Sequence, residues 1–209
     1  MLIKKYADII PAGENKMKYA SVLFIFALIL ITACMQSGNS FSADDDGNLY
    51  AVDGDSLENA GRRIRLQGID APEYKQTCRR QDGAKYRCGL ESLDYIKKLM
   101  KDKKISCQCE EKPDRYGREL CVCFADNIEI NREMVAAGQA VSYRSNRYND
   151  EEKAAKAQKL GVWQGKFMRP ELYRTLKREQ DAKWCKANPQ ECKAKKERIK
   201  AYKKSKYKH

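Results

Sequence analysis

The chain has 209 residues, a length that suits one domain with appendages. Its only histidine is His209, the last residue, so a Ser/His/Asp triad, a Cys/His dyad or a site with a histidine base has nothing to work with in the body. The net charge of +13 is lopsided: residues 177–209 hold thirteen Lys/Arg against four Asp/Glu, and residues 35–176 are nearly neutral.

In chain order, residues 22–31, "VLFIFALILI", come first as an unbroken apolar run. It is shorter than the roughly 20 residues that span a bilayer. With Lys16 and Lys18 ahead of it and "ITAC" behind, it reads as an export signal over residues 1–34, tidier if the start is Met17 than Met1. An uncleaved anchor helix is the alternative. "ITAC" resembles a bacterial lipobox, which makes Cys34 the candidate lipidated residue. Expected localisation is therefore exported: an envelope lipoprotein, or a secreted or periplasmic protein. Residues 35–47, "MQSGNSFSADDDG", read as a polar tether.

From Leu49 the pattern turns to short strands, "LYAVDG", "SLENA" and "RIRLQGI", with Gly61 free to turn the chain between the last two. Residues 89–100 place Leu90, Leu93, Ile96, Leu99 and Met100 at helical spacing. A hairpin follows, its loop being "KPDRYGRE". Next come a short helix "NREMVAAG" capped by Asn131 and stopped by Gly138, a strand "QAVSY", and a helix "DEEKAAKAQKLG" ending at Gly161. Strands, an inserted helix, a hairpin and then helices make an α+β domain over 48–174 built on a small barrel. Residues 175–209 form a basic tail, suited to phosphate polymers or an anionic envelope surface, or simply solvated.

Apart from Cys34 there are eight cysteines, an even number in a chain marked for an oxidising compartment. "SCQCE" and "LCVCF" each put two cysteines on one strand face. A single antiparallel register opposes Cys107 to Cys123 and Cys109 to Cys121 together, and Cys78–Cys88 and Cys185–Cys192 flank polar loops. These four pairings are the expected disulfides. A four-thiolate zinc site from the two C-x-C pairs is the competing reading.

Two acid clusters lie close along the chain, "VDGDS" with Asp53 and Asp55 and "GIDAPE" with Asp70 and Glu73. Arg65 and Asp70 are five residues apart, so a straight strand would aim them at opposite faces. Gly68 permits the bend that brings them together, and Pro72 stiffens the backbone beyond it. "DRYGRE" adds Arg118 after a turn at Gly117. Acids for a hard divalent ion, an acid free to take a proton, and two arginines are the parts of phosphodiester hydrolysis.

"VDGDS", "RIRLQGIDAPE", "DRYGRE" and "GVWQGKF", in that order and spacing, resemble the staphylococcal nuclease-like (thermonuclease) family over about residues 49–173. The resemblance implies a five-stranded OB-type Greek-key barrel with about three packed helices, and Ca²⁺-dependent cleavage of DNA and RNA to 3′-phosphate products. By position it implies that Asp55, Asp70 and the main-chain carbonyl of Ala71 hold Ca²⁺. Arg65 and Arg118 would grip the scissile phosphate, and Glu73 would orient or deprotonate the attacking water. Tyr116 and Tyr143 are candidate substrate contacts. Asp53 and Asp114 are expected to shape the turns behind the ligands. A monomer is expected, with a non-catalytic nucleic-acid-binding module on the envelope as the rival reading.

Overall fold

The computed structural model describes residues 39–42, 49–59 and 61–206. The apolar run 22–31 and Cys34 lie outside the described residues; among the described ones no helix is long and apolar enough to cross a membrane. The body is a curled, mostly antiparallel sheet with helices, an α+β arrangement.

Strands β1 (Asn39–Ser42), β2 (Tyr50–Asp53), β3 (Ser56–Asn59), β4 (Arg62–Leu66), β8 (Ile105–Cys109), β9 (Glu119–Ala125) and β10 (Ile128–Glu129) make the main sheet. Its order is β1-β8-β9-β4-β3-β2, with β10 on β9. All neighbours are antiparallel except β4 and β9, which run parallel with Arg65 opposite Leu120. Two small pairs stand apart: β5 (Ile69–Asp70) with β11 (Val141–Ser142), and β6 (Cys78–Arg79) with β7 (Lys85–Tyr86). Seven strands in the main sheet therefore replace the five expected. Residues 39–42, expected inside a polar tether, instead extend the sheet by pairing with β8.

Five α-helices are described: α1 (Cys88–Met100), α2 (Ile130–Ala136), α3 (Asn149–Ala157), α4 (Pro170–Ala187) and α5 (Pro189–Lys206). The first three supply the helices expected. The other two lie in the basic C-terminal region, and the boundary expected after residue 174 falls inside α4. Proline at the first turn of α4 fits the helix, because its missing N–H needs no partner there.

Alternation along the strands and the periodic face of α1 bury one core. Leu57, Ile64, Leu66, Ile69, Ile96, Ile130, Met134 and Tyr148 are almost fully enclosed. The β8–β9 register is the one the cysteines require, with Cys107 opposite Cys123 and Cys109 opposite Cys121. All four expected disulfides are formed, Cys78–Cys88, Cys107–Cys123, Cys109–Cys121 and Cys185–Cys192, so the zinc alternative has no free thiolates.

Two helix-end expectations are overturned, the first because α3 stops at Ala157 rather than running to Gly161. Asn131 does not cap α2; Glu129 is the N-cap residue and makes no side-chain capping bond. Asn131 is instead completely buried. Its Oδ1 accepts from the Cys123 amide at 3.0 Å, and its Nδ2 donates to the Gln67 and Cys121 carbonyls at 2.9 and 3.1 Å. That amide fastens β9 to the turn that follows β4. Gly138, with φ of +64°, ends α2 as expected.

Candidate active site

Four separate segments build the site. The β2–β3 turn brings Asp53 and Asp55. Asp53 Oδ1 accepts the Asp55 amide at 3.1 Å, which folds the turn on itself. Gly54 is required by packing: a Cβ there would lie 1.9 Å from Ser92 Oγ and 2.7 Å from the Ala71 side chain. The close approach presses the turn against α1 and against the loop that follows Asp70. Asp55 Oδ2 then accepts the Ala71 amide at 2.7 Å, joining the two acid clusters.

The β4–β5 turn supplies Arg65 and Asp70. Gly68 has φ of +76°, a conformation an L side chain resists, and the bend it allows reverses the chain. Arg65 Nη2 thereby reaches Asp70 Oδ1 at 2.7 Å and the Ile69 carbonyl at 3.2 Å. Its Nη1 pairs with Asp55 Oδ1, so one guanidinium bridges both buried acids. Asp55 and Asp70 are 3% and 1% exposed, which makes this ion triplet an interior feature. Burial lowers the Arg65 pKa, and nearby Arg118 adds to that, while Asp70 pulls the other way. Burial raises the Asp53 carboxyl, opposed by a Ser56 hydrogen bond and by the charges of Arg65 and Arg118. Arg118 thus lies within electrostatic reach of both.

Beyond Pro72, Gln76 fixes the loop that carries Glu73. Its Oε1 accepts the Glu73 amide at 3.2 Å and its Nε2 donates to the Met168 carbonyl at 2.6 Å. A side chain at Gly89 would meet the Glu73 carbonyl at 1.8 Å, so the start of α1 backs the loop. Glu73 keeps its carboxylate 39% exposed at the rim.

The β8–β9 loop holds Arg118 by its own acid. Asp114 Oδ2 accepts from Arg118 Nε and Nη2 at 2.9 and 2.7 Å, and its Oδ1 accepts the Tyr116 and Arg118 amides. Burial pushes Asp114 up, but these bonds from Arg118 and Tyr116 outweigh it and hold its carboxyl below the usual value. Asp114 is therefore the turn-forming residue expected, and Gly117 has φ of +71°.

The two tyrosines take different places. Tyr116 is 55% exposed, its ring flanked by the Arg115 and Arg118 guanidinium groups at 4.8 and 5.5 Å. The Tyr143 hydroxyl is turned to Glu171 Oε1 on α4 at 3.3 Å, and Arg144 covers its ring.

Sequence reasoning missed Arg174. From the first turns of α4 its guanidinium forks onto Asp70, Nη1 to Oδ1 and Nη2 to Oδ2, both at 2.9 Å. Nη1 also reaches Glu73 Oε1 at 2.9 Å. Desolvation would lower the Arg174 pKa, yet its bonds to Asp70 and Glu73 prevail and raise it. No local pattern marks this residue, one basic side chain among 42.

Asp55, Asp70 and Glu73 offer oxygen donors only, the set hard cations such as Ca²⁺ select. A cationic group, the Arg174 guanidinium, already rests on two of them, so the acids fit a cation by chemistry and by position. A second group of metal-capable atoms, Cys109, Glu119 and Cys121, fails the same test because its two sulfurs are bonded to each other.

A family model described as "Staphylococcal nuclease homologue" matches residues 63–165. An "Uncharacterized endonuclease" from Escherichia coli O157:H7 is 34% identical over 154 residues, 68% of this chain and 86% of that protein. An "Uncharacterized endonuclease" from Haemophilus influenzae is 30% identical over 159 residues, 72% of this chain and 79% of the relative. "Succinoglycan biosynthesis protein ExoI" from Rhizobium meliloti is 36% identical over 122 residues, 56% of this chain. There the chain covers 63% of the relative, less than two thirds of its length.

Proposed function

Because the chain belongs to the family of staphylococcal nuclease homologues, we propose that it is an exported nuclease that hydrolyses phosphodiester bonds of DNA and RNA with Ca²⁺. The observation that carries the proposal is the junction of Arg65 with Asp55 and Asp70, with Glu73 at its rim and Arg118 within electrostatic reach. OB-type barrel geometry, which presents such a surface to an extended strand, is the finer form of the fold proposed here. The four disulfides support an oxidising compartment, reached through the apolar segment 22–31 and held there by Cys34 or released.

In this reading Asp55, Asp70 and the Ala71 carbonyl hold the ion. Bound there, Ca²⁺ supplies positive charge that neutralises the phosphate. Arg65 commits Nη2 and one Nη1 hydrogen to the acids and the Ile69 carbonyl, leaving Nε–H and the other Nη1 hydrogen for a phosphate oxygen. Arg118, aimed by Asp114, presents Nη1 in the same way. Such charge-assisted, forked contacts strengthen as charge builds on the equatorial oxygens. Glu73 takes the proton from water as its oxygen bonds to phosphorus. The bond from phosphorus to the 5′ oxygen breaks, the leaving oxygen takes a proton from solvent, and a 3′-phosphate remains. Tyr116, exposed and flanked by arginines, offers a face for a base. The protein acts as a monomer.

The test is plasmid DNA with Ca²⁺ and with a strong chelator. Degradation only with Ca²⁺ is expected, and Glu73→Gln, Arg65→Ala and Arg118→Ala should each lower the rate by roughly 10² or more while unfolding cooperatively. Degradation undiminished in chelator rejects the ion. A shifted but intact band with the wild type rejects hydrolysis in favour of binding alone.

A further inference from the structure

We propose that Arg174 is the resident cation of the acidic pocket and that a divalent ion enters by displacing it, which makes helix α4 a gate on the site. The inference rests on the ion-binding reading above and adds its regulation.

Arg174 covers the proposed ligand: both oxygens of Asp70 accept its guanidinium and Oδ1 accepts Arg65 as well, leaving one lone pair on Oδ2 of a side chain 1% exposed. Glu73 Oε1, on the group proposed to take a proton, accepts the same Nη1. Formal charge favours exchange over coexistence. Three acids facing two guanidinium groups leave the pocket one negative charge. A divalent ion in place of Arg174 makes it neutral, whereas an ion beside Arg174 leaves an excess positive charge in a partly buried place, which is costly.

The helix that carries Arg174 is lightly held. Pro170 is its only buried residue, and Leu172 and Leu176 are 51% and 37% exposed. The chain just before it is fastened more firmly. Arg169 binds Glu152 at 3.1 Å and the Ser142 carbonyl at 2.9 Å, and Gln76 holds the Met168 carbonyl. Among the described residues, the polar ties from the helix to the domain are Arg174 and the long 3.3 Å bond between Glu171 and Tyr143. A swing about residue 169 therefore breaks the Arg174 contacts with Asp70 and Glu73 and the long Glu171–Tyr143 bond, and uncovers little apolar surface. Arg174 is about a third exposed, so solvent ions reach the contact. Disulfide Cys185–Cys192 couples α4 to α5, and the two basic helices move as one lever.

The test uses the full chain with its disulfides intact. Calorimetric titration with Ca²⁺ should give Arg174→Ala an affinity at least about tenfold above wild type, the effect of unlocking a site open about a tenth of the time. Adding Asp70→Asn to that variant should abolish the gain. In the wild type, which no substitution perturbs, saturating Ca²⁺ should speed amide exchange over residues 170–178. Equal affinities in the wild type and Arg174→Ala overturn the gate and leave the ion site standing. A gain that survives Asp70→Asn, or a gain without faster exchange in α4, also overturns it. Absence of binding in both proteins overturns the gate and the ion reading together.

Discussion

Replacing Asn131 by alanine tests how the strand that follows Arg118 is fastened to the turn that carries Asp70. The side chain is wholly enclosed and makes three hydrogen bonds. Of its partners, the Cys121 carbonyl keeps a second donor in the Gln67 amide at 2.8 Å. Alanine therefore strands the Cys123 N–H and the Gln67 carbonyl. Each unsatisfied buried group costs about 1–3 kcal/mol, so the loss is about 2–6 kcal/mol. With a urea slope of about 2 kcal/mol/M, the unfolding midpoint falls by about 1–3 M. Urea unfolding followed by circular dichroism, with disulfides intact, reads it directly. Asn131→Asp keeps the acceptor, loses both donated bonds and buries a charge, so it should lie at least as low. A change under about 0.5 M urea for Asn131→Ala would show that the amide is not what joins β9 to the turn.

The nested disulfides should interact. Cys109–Cys121 closes a loop of separation 12 and Cys107–Cys123 one of 16 around it. On chain entropy alone, either bond already present leaves the second only a small ring to close. Serine replacement of one pair should cost about 2 kcal/mol and of both about 5 kcal/mol, more than the sum of the singles. Strict additivity of the denaturation energies would reject the nested-loop account. Acid stability carries a defined sign. The Asp114 carboxyl is held low by Arg118 and Tyr116 against the pull of burial, and that of Glu152 is held low by Lys156 and Arg169 against the same pull. Groups depressed on folding stabilise fully above their ordinary values, 3.8 and 4.5, and lose that contribution as pH falls through the lower folded values. Asp114→Asn should flatten the acid limb of a stability-versus-pH curve; an unchanged limb would remove Asp114 from the account.

Much of the site was legible because short-range chemistry dictated it. Gly68 and Pro72 announce a bend, and a bend is what lets Arg65 meet Asp70. The β8–β9 register was legible because two cysteine pairs cannot both be satisfied by any other alignment. The main sheet gains two strands over the five expected: β10, two residues long and too short to show a period, and β1, whose residues read as a polar tether. Asn131 misled because asparagine beside a helix start is the favoured cap, while burial of a shared amide leaves no local mark. Arg174 was invisible for the same reason: its partners stand 104 and 101 residues earlier.

The parallel pairing of β4 with β9 has a temporal side. Arg65 comes opposite Leu120, two residues past Arg118, only when two strands some fifty residues apart align in the same direction, a pairing that local contacts cannot make. A polypeptide emerging from the ribosome presents Asp55, Arg65, Asp70 and Glu73 well before the strand that follows Arg118 exists. Half-made molecules thus lack Arg118, and the constellation is complete only after translation has passed β9.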